Sequence, residues 1–344
     1  MKLRISAVVG VLVALAAVST AVAAKPSAPQ RSAGTISGAG ATFPAPLIAV
    51  WQREYKRDQV NYNAIGSGGG ISAITNRTVD FGASDAPLTK DQFAACKGCV
   101  QMPWVLSATS IMYNLDGVKN AIHMNGRLIA DIYLGNVTNW NDARIRRLNP
   151  GVNFPDRRIT PVYRSDGSGT TYNFTDYLTK VSPSFKSRVG GPNTTVNWPA
   201  GVGARGSSGV AGVVTRTEGA VGYADIAYAL QNHIKFAAVQ NRSGIFATPG
   251  LRSIKAASLA DVKFSSTNEL SIVNPPKGKK FRRAYPISTY SYVILPLQSS
   301  KAAQLKSFVT WAVTSGQRFG PKLIFQPVPP YVVTRVKAQL RRVR

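Results

Sequence analysis

Apolar positions three and four residues apart alternate along this chain with short unbroken apolar runs, and the two periods predict helices and strands in turn. Leu47, Val50, Trp51 and Tyr55 mark one helical face, Ile71 and Ile74 a brief second one, and Phe174, Tyr177, Leu178 and Val181 a third. Strand-like runs cover residues 60–65, 110–114, 159–163 and 291–295. Such alternation predicts α/β layers, with sheets flanked by helices. No repeat of roughly 20 to 50 residues interrupts it.

The loops that lead into these helices carry the chemistry. In Arg164-Ser-Asp-Gly-Ser-Gly-Thr-Thr171, a guanidinium, a carboxylate, two glycines and several hydroxyls precede the helical face that starts near Phe174. The first amide N–H groups of a helix have no intrahelical partner and sit at its positive end. Glycines allow a tight turn and close approach of backbone to a ligand. Hydroxyl donors and one Arg complete an anion site, most naturally for phosphate; an ordinary capped turn would use the same residue types. Two upstream loops repeat the construction. Ser37-Gly-Ala-Gly-Ala-Thr-Phe-Pro-Ala-Pro46 places Thr42 and Phe43 at a helix start, where Pro44 and Pro46 suit the first turn. Ile65-Gly-Ser-Gly-Gly-Gly-Ile-Ser-Ala-Ile74 sets Ser67 at a glycine turn between a strand and a short helix. No Gly-Lys-Ser/Thr follows those glycines, and Ile71 breaks the dinucleotide fingerprint, so neither an NTPase nor a nicotinamide site is indicated.

Val79-Asp-Phe-Gly-Ala-Ser-Asp-Ala-Pro-Leu88 then places Asp85 in a small-residue turn. One reading is a turn-stabilising Asx residue. The other uses the ionisable proton that phosphate carries near neutral pH. A carboxylate accepts a hydrogen bond from that P–OH and repels an anion, such as sulfate, that has no proton to give.

Taken together, Gly-Ala-Gly-Ala-Thr-Phe-Pro-Ala-Pro, Gly-Ser-Gly-Gly-Gly, Asp-Phe-Gly-Ala-Ser-Asp-Ala-Pro-Leu and Arg-x-Asp-Gly-Ser-Gly-Thr resemble the PstS family, the periplasmic phosphate-binding proteins of phosphate-specific ABC transporters. Ile132-Tyr-Leu-Gly-Asn136, Gly219-Ala-Val-Gly-Tyr223 and Tyr285-Pro-Ile-Ser288 extend the resemblance over nearly the whole chain. It implies an α/β, two-domain, type II periplasmic-binding-protein clamshell with the ligand in the interdomain cleft. Domain I would be discontinuous, residues 34–109 plus 285–344, with domain II at 110–284 and crossings near 107–110 and 283–287. The implied phosphate ligands are Thr42, Phe43, Ser67, Asp85, Arg164, Ser168, Gly169 and Thr170, with Asp166 orienting Arg164. One departure is Gly68, where the family often has a second Ser. The implied function is capture of inorganic phosphate and delivery to inner-membrane permease subunits, by a monomer without cofactor or metal. A phosphate buffer, sensor or envelope-associated protein uncoupled from transport is the alternative. Hydrolysis of phosphate esters would need a base beside Ser168 or a metal cluster, and the chain has two histidines, neither near it in sequence.

Residues 1–24 read as a cleaved signal peptide: Lys2 and Arg4, an apolar run at 5–18, then Ala21-Val-Ala-Ala24. The run is short for a membrane span, no Cys follows it for a lipid anchor, and the expected location is the periplasm. Residues 25–34 read as a loose leader. With 44% hydrophobic residues the remainder is long enough for two cored domains. Cys96 and Cys99 form Cys-Lys-Gly-Cys, which in an exported chain most simply gives a local disulfide. Zinc would need two further ligands, and the strand-before, helix-after setting of a redox motif is missing. The charge is unusual: 42 Lys plus Arg against 15 acids, +27 net. That bears on solubility, on electrostatic gathering of phosphate or on attraction to anionic envelope polymers, and not on fold. The basic runs lack interleaved aromatics, so no nucleic-acid partner is expected.

Overall fold

The computed structural model describes residues 34–118, 121–260 and 263–344, so the signal segment and nearly all of the leader lie outside the described residues. Twelve strands are present among these: β1 (Thr35–Gly40), β2 (Gln59–Asn63), β3 (Phe81–Ser84), β4 (Cys99–Tyr113), β5 (His123–Met124), β6 (Thr160–Arg164), β7 (Val202–Ala204), β8 (Ala220–Asp225), β9 (Lys235–Phe236), β10 (Ala238–Gln240), β11 (Phe246–Ala247) and β12 (Ser288–Pro296). The helices between them are α1 (Ala45–Glu54), α2 (Ser67–Thr75), α3 (Lys90–Ala95), α4 (Gly126–Tyr133), α5 (Ala143–Leu148), α6 (Gly169–Val181), α7 (Pro183–Val189), α8 (Gly206–Arg216), α9 (Ile226–Gln231), α10 (Leu251–Ser258), α11 (Ala302–Val313) and α12 (Pro330–Leu340).

The main sheet runs β2-β1-β3-β12-β4-β8-β6-β7, with β9 also on β4; β11, β10 and β5 form a small second sheet. At one end β1, β2 and β3 are parallel, which requires the crossovers that α1 and α2 supply. At the other end β6 is parallel to β7 and β8. Between them β4 is buried along all of its 15 residues. It pairs with β12 through residues 99–108 and with β8 through residues 109–113. Only its end, within the run 110–114, stands out as strand-like in the sequence, because a strand covered on both faces has no polar alternation to display. At the change of partner, the Thr109 amide donates to the Ile287 carbonyl at 2.9 Å, so the two expected crossing segments lie side by side.

Aromatic residues anchor each end. Trp51 of α1 meets Trp104 of β4 at 5.3 Å between ring centroids, with Phe81 and Phe308 packed around them. Phe174 of α6 stacks on Tyr223 of β8 at 4.2 Å, beside Tyr133. Helix α2 rides directly on β1: a Cβ on Gly70 would stand 2.4 Å from the Gly40 Cα, so only glycine permits that approach. This contact fixes the height of Ser67 at the end of the sheet. Cys96 and Cys99 are joined in a disulfide between α3 and β4, with Cα atoms 5.7 Å apart. Among the described residues no helix is long and apolar enough to cross a membrane.

Candidate functional site

Each loop singled out in the sequence leaves the C-terminal end of a parallel strand, where open α/β sheets place their ligands. After β1, Ala41 is held to β3 by its amide, and the carbonyls of Ala41 and Thr42 accept from the hydroxyls of Tyr62 and Tyr228 at 2.7 and 2.6 Å. With those carbonyls tied back, Thr42 and Phe43 lead into α1. After β2, Gly66 takes φ +92°, a conformation that favours glycine, and Ser67 opens α2. Asp85 follows β3 directly, and Arg164 ends β6. Ser168 caps α6, its Oγ accepting from the Thr171 amide at 3.1 Å, so Gly169 and Thr170 fall in the first helical turn.

All eight residues that the resemblance implied come together in one buried cluster. Thr42, Phe43, Ser67, Asp85, Arg164, Ser168 and Thr170 are each at most 5% exposed. Ser67 Oγ accepts from the Gly169 amide at 3.0 Å and the Asp85 amide at 3.2 Å. The Gly68 amide donates to the Gly167 carbonyl at 2.9 Å, a contact of main chain with main chain. The Thr170 hydroxyl donates to Asp85 Oδ2 at 3.4 Å. Room between these loops is minimal: a Cβ on Gly169 would lie 2.5 Å from the Ala86 amide nitrogen and 2.6 Å from Ser67 Oγ.

Arg164 and Asp166 form a fork-to-fork pair, with Nε donating to Oδ1 at 2.6 Å and Nη2 to Oδ2. Asp166 Oδ1 also accepts from the Gly206 amide at 3.0 Å. Burial raises the Asp166 pKa, but the bonds and charge of Arg164 and the Gly206 N–H outweigh it and hold the carboxyl below its ordinary range. The guanidinium keeps Nη1 toward the cluster, where it donates to Ser207 Oγ at 3.5 Å. Asp85 is shifted the other way. Burial pushes it up to about 7, against the Ser291 hydroxyl that donates to Oδ1 at 2.7 Å, the charge of Arg164 and the Thr170 hydroxyl. The site thus offers helix N-termini, hydroxyls and one guanidinium as donors, and a single carboxyl poised near neutrality as acceptor.

These opposite shifts make opposite contributions to stability. Between the ordinary carboxylate range and pH about 7, native Asp85 holds a proton that the unfolded chain has released. Its contribution is therefore present at low pH and lost as pH rises through that window. Asp166, held low, contributes above the ordinary range and loses that contribution as pH falls. In urea unfolding without phosphate, Asp85→Asn is expected to remove a decline of about 2–4 kcal/mol between roughly pH 4.5 and 7.5. Equal pH slopes for the variant and the parent would contradict the shift.

The structure adds residues that the sequence reading passed over. Ser207 of α8 meets Thr42, Oγ to Oγ1 at 2.8 Å, and donates its amide to Thr42 Oγ1 at 3.1 Å. Its setting, Arg205-Gly-Ser-Ser208, follows the same rule of glycine plus hydroxyl before a helix and was open to the same reasoning. Asn173 binds the carbonyls of Asp85 and Gly169 at 2.7 and 2.9 Å and accepts from the Thr289 hydroxyl at 2.8 Å. Ser291, Thr289 and Asn173 carry no local signal; only the fold brings them here.

A model of the PBP superfamily domain matches residues 25–315. The phosphate-binding protein PstS of Xylella fastidiosa is 41% identical over 321 residues, which cover 91% of this chain and 86% of that protein. The chain belongs to the PstS family. PstS of Pasteurella multocida is 37% identical, over 89% of this chain and 90% of its own. Among solved structures, a high-affinity periplasmic phosphate-binding protein with bound phosphate superposes at TM-score 0.74 and 20% identity, covering 88% of this chain and 93% of its own. A protein from Clostridium perfringens solved with bound phosphate superposes at TM-score 0.61 and 17% identity, covering 86% of this chain and 100% of its own. At such identities these two establish the α/β periplasmic-binding-protein fold. The PstS relatives set the family.

Proposed function

We propose that this protein binds one inorganic phosphate per chain in the periplasm and passes it to the permease subunits of a phosphate ABC transporter, acting as a monomer. The observation that carries the reading is Asp85. A buried carboxyl facing a buried guanidinium and several helix N-termini suits an oxyanion that brings a proton of its own. The ligands are Thr42, Phe43, Ser67 and Asp85 from one side and Arg164, Ser168, Gly169 and Thr170 from the other, with Ser207 added beside Thr42 and Arg164. Residues 34–109 with 285–344 form one domain and 110–284 the other, and they close on the anion by a twist of β4 near residues 107–110. Phosphate favours the closed form because only there do both sets of donors reach it.

Binding without turnover follows from the commitments of the hydroxyls. Ser168 Oγ caps α6 and Ser67 Oγ accepts from two amides, so both hydroxyls serve to hold the loops in place, and no histidine stands near either in sequence. Calorimetry with phosphate and with sulfate tests the reading, and strong binding of phosphate alone is expected. Gly169→Ala should weaken phosphate roughly tenfold to hundredfold, since an overpacked methyl costs about 1–3 kcal/mol here. Comparable affinity for both anions, or a tolerated methyl at Gly169, would overturn the assignment.

A further inference from the structure

A group of lysines and arginines gathers at one end of the molecule, and that end lies away from the anion site. Strands β1, β2 and β3 are parallel, so Thr42, Ser67 and Asp85 stand at their C-terminal ends while their N-terminal ends open on the opposite edge of the sheet. A strand of five or six residues separates those edges by about 15–20 Å.

Several segments meet at the far edge. The end of α1 and the residues after it expose Arg53, Lys56 and Arg57. This segment joins α11 where the Tyr55 hydroxyl meets Ser307 Oγ at 2.8 Å. From α11, Lys306 reaches the Val343 carbonyl at 3.1 Å, which brings in the exposed Arg341, Arg342 and Arg344. The Arg344 amide donates to Leu297, whose amide donates to Gly98, both at 2.7 Å, and so adds Lys97 beside the disulfide. Arg77 closes the set by donating to the Lys97 carbonyl at 3.3 Å. The acids at this edge do not balance them. Asp58 is buried and accepts from Tyr55, and Asp80 is paired with Lys301 at 2.9 Å, which leaves Glu54 exposed.

The exposed large apolar side chains among the described residues, Val202, Leu230, Ile245, Leu259 and Tyr331, belong to none of these segments. The face therefore suits electrostatic contact without insertion of side chains into a hydrocarbon layer. Its cations come from separate segments around one end of the molecule, the arrangement that a broad anionic surface meets, whereas a linear polyanion follows a groove.

We propose that this end of the molecule is a docking face for an anionic lipid bilayer, with the anion site turned away from the surface. The inference goes beyond phosphate binding and does not depend on it.

Co-sedimentation with vesicles tests it. The protein should pellet with vesicles of phosphatidylglycerol and phosphatidylcholine at about 50 mM salt, and not with phosphatidylcholine alone or at about 500 mM salt. Combined replacement of Lys56, Arg57, Arg341 and Arg342 by Gln should weaken partition at least tenfold, since each cation near such a surface contributes roughly fivefold. Replacing Lys279, Lys280, Arg282 and Arg283 by Gln removes the same charge elsewhere and should leave most of the binding. Lys56→Gln with Arg57→Gln gives the same direction should the fourfold variant unfold. Phosphate affinity should be equal with and without vesicles. Failure of the parent to pellet at low salt, equal loss in both fourfold variants, or phosphate affinity changed by vesicles would overturn the proposal. So would retention of soluble polyphosphate with no vesicle binding, which would assign the charge to a polymer.

Discussion

Arg164→Ala is expected to weaken phosphate binding by about 3–5 kcal/mol, the cost of leaving a buried anion without its charged partner, or roughly 150-fold to 5,000-fold. The side chain is 1% exposed and its fork is committed to Asp166, so the guanidinium arrives at the site already oriented. Two losses then coincide: the buried positive charge facing Asp85 disappears, and Asp166 is left without its partner. Arg164→Lys should fall between, because an ammonium keeps the charge and loses the planar fork. Ser67→Ala or Thr170→Ala should cost only about 0.5–1.5 kcal/mol each, the range for neutral hydrogen bonds. Calorimetry on the four variants orders these effects, and a Ser67→Ala loss equal to that of Arg164→Ala would remove the guanidinium from its assigned place.

Asp85→Asn carries the second large effect, and it acts on selectivity. Above pH about 7, where the carboxyl is ionised, the parent meets a protonated oxyanion as acceptor and an unprotonated one as repulsion. The amide donates as well as accepts, so sulfate loses its penalty while phosphate keeps a partner. Ser291 Oγ, 2.7 Å from Oδ1, is a hydroxyl and can turn to accept, so the amide fits the same surroundings. The ratio of phosphate to sulfate affinity is expected to narrow by at least about a hundredfold, in the direction of a site that no longer demands a proton. Competition of both anions for the variant measures that ratio directly, and a ratio equal to the parent's would defeat the proposed role of Asp85.

Local chemistry was legible and long-range pairing was not. The loops around Thr42, Ser67 and Ser168 each announce themselves within ten residues, because a glycine turn, a hydroxyl and a helix start are all local events. The loop at Gly206 and Ser207 obeys the same rule and lay within reach of the same argument. Asn173 sits inside α6 at a position that its sequence neighbours explain as helix surface, and it became a joint among three segments only when β12 and the Asp85 turn were set beside it. Ser291 likewise lies within a buried strand, and nothing near it in sequence points to Asp85. The length of β4 was hidden for a related reason: burial on both faces erases the period by which strands are recognised. The charge of the far edge was visible as a total and illegible as a place, since its cations come from segments distant in sequence.

The contact of the Gly68 amide with the Gly167 carbonyl has a consequence for how such a site drifts. It involves no side chain, so a substitution can obstruct it but cannot grade it. A Cβ on Gly68 would stand 3.2 Å from the Gly167 Cα, so systematic alanine replacement would register a tight contact where it is meant to delete a bond. A joint made from backbone is also indifferent to the charge of its surroundings. Basic residues substituted on the outer surface would therefore leave the apposition of the two loops as it is.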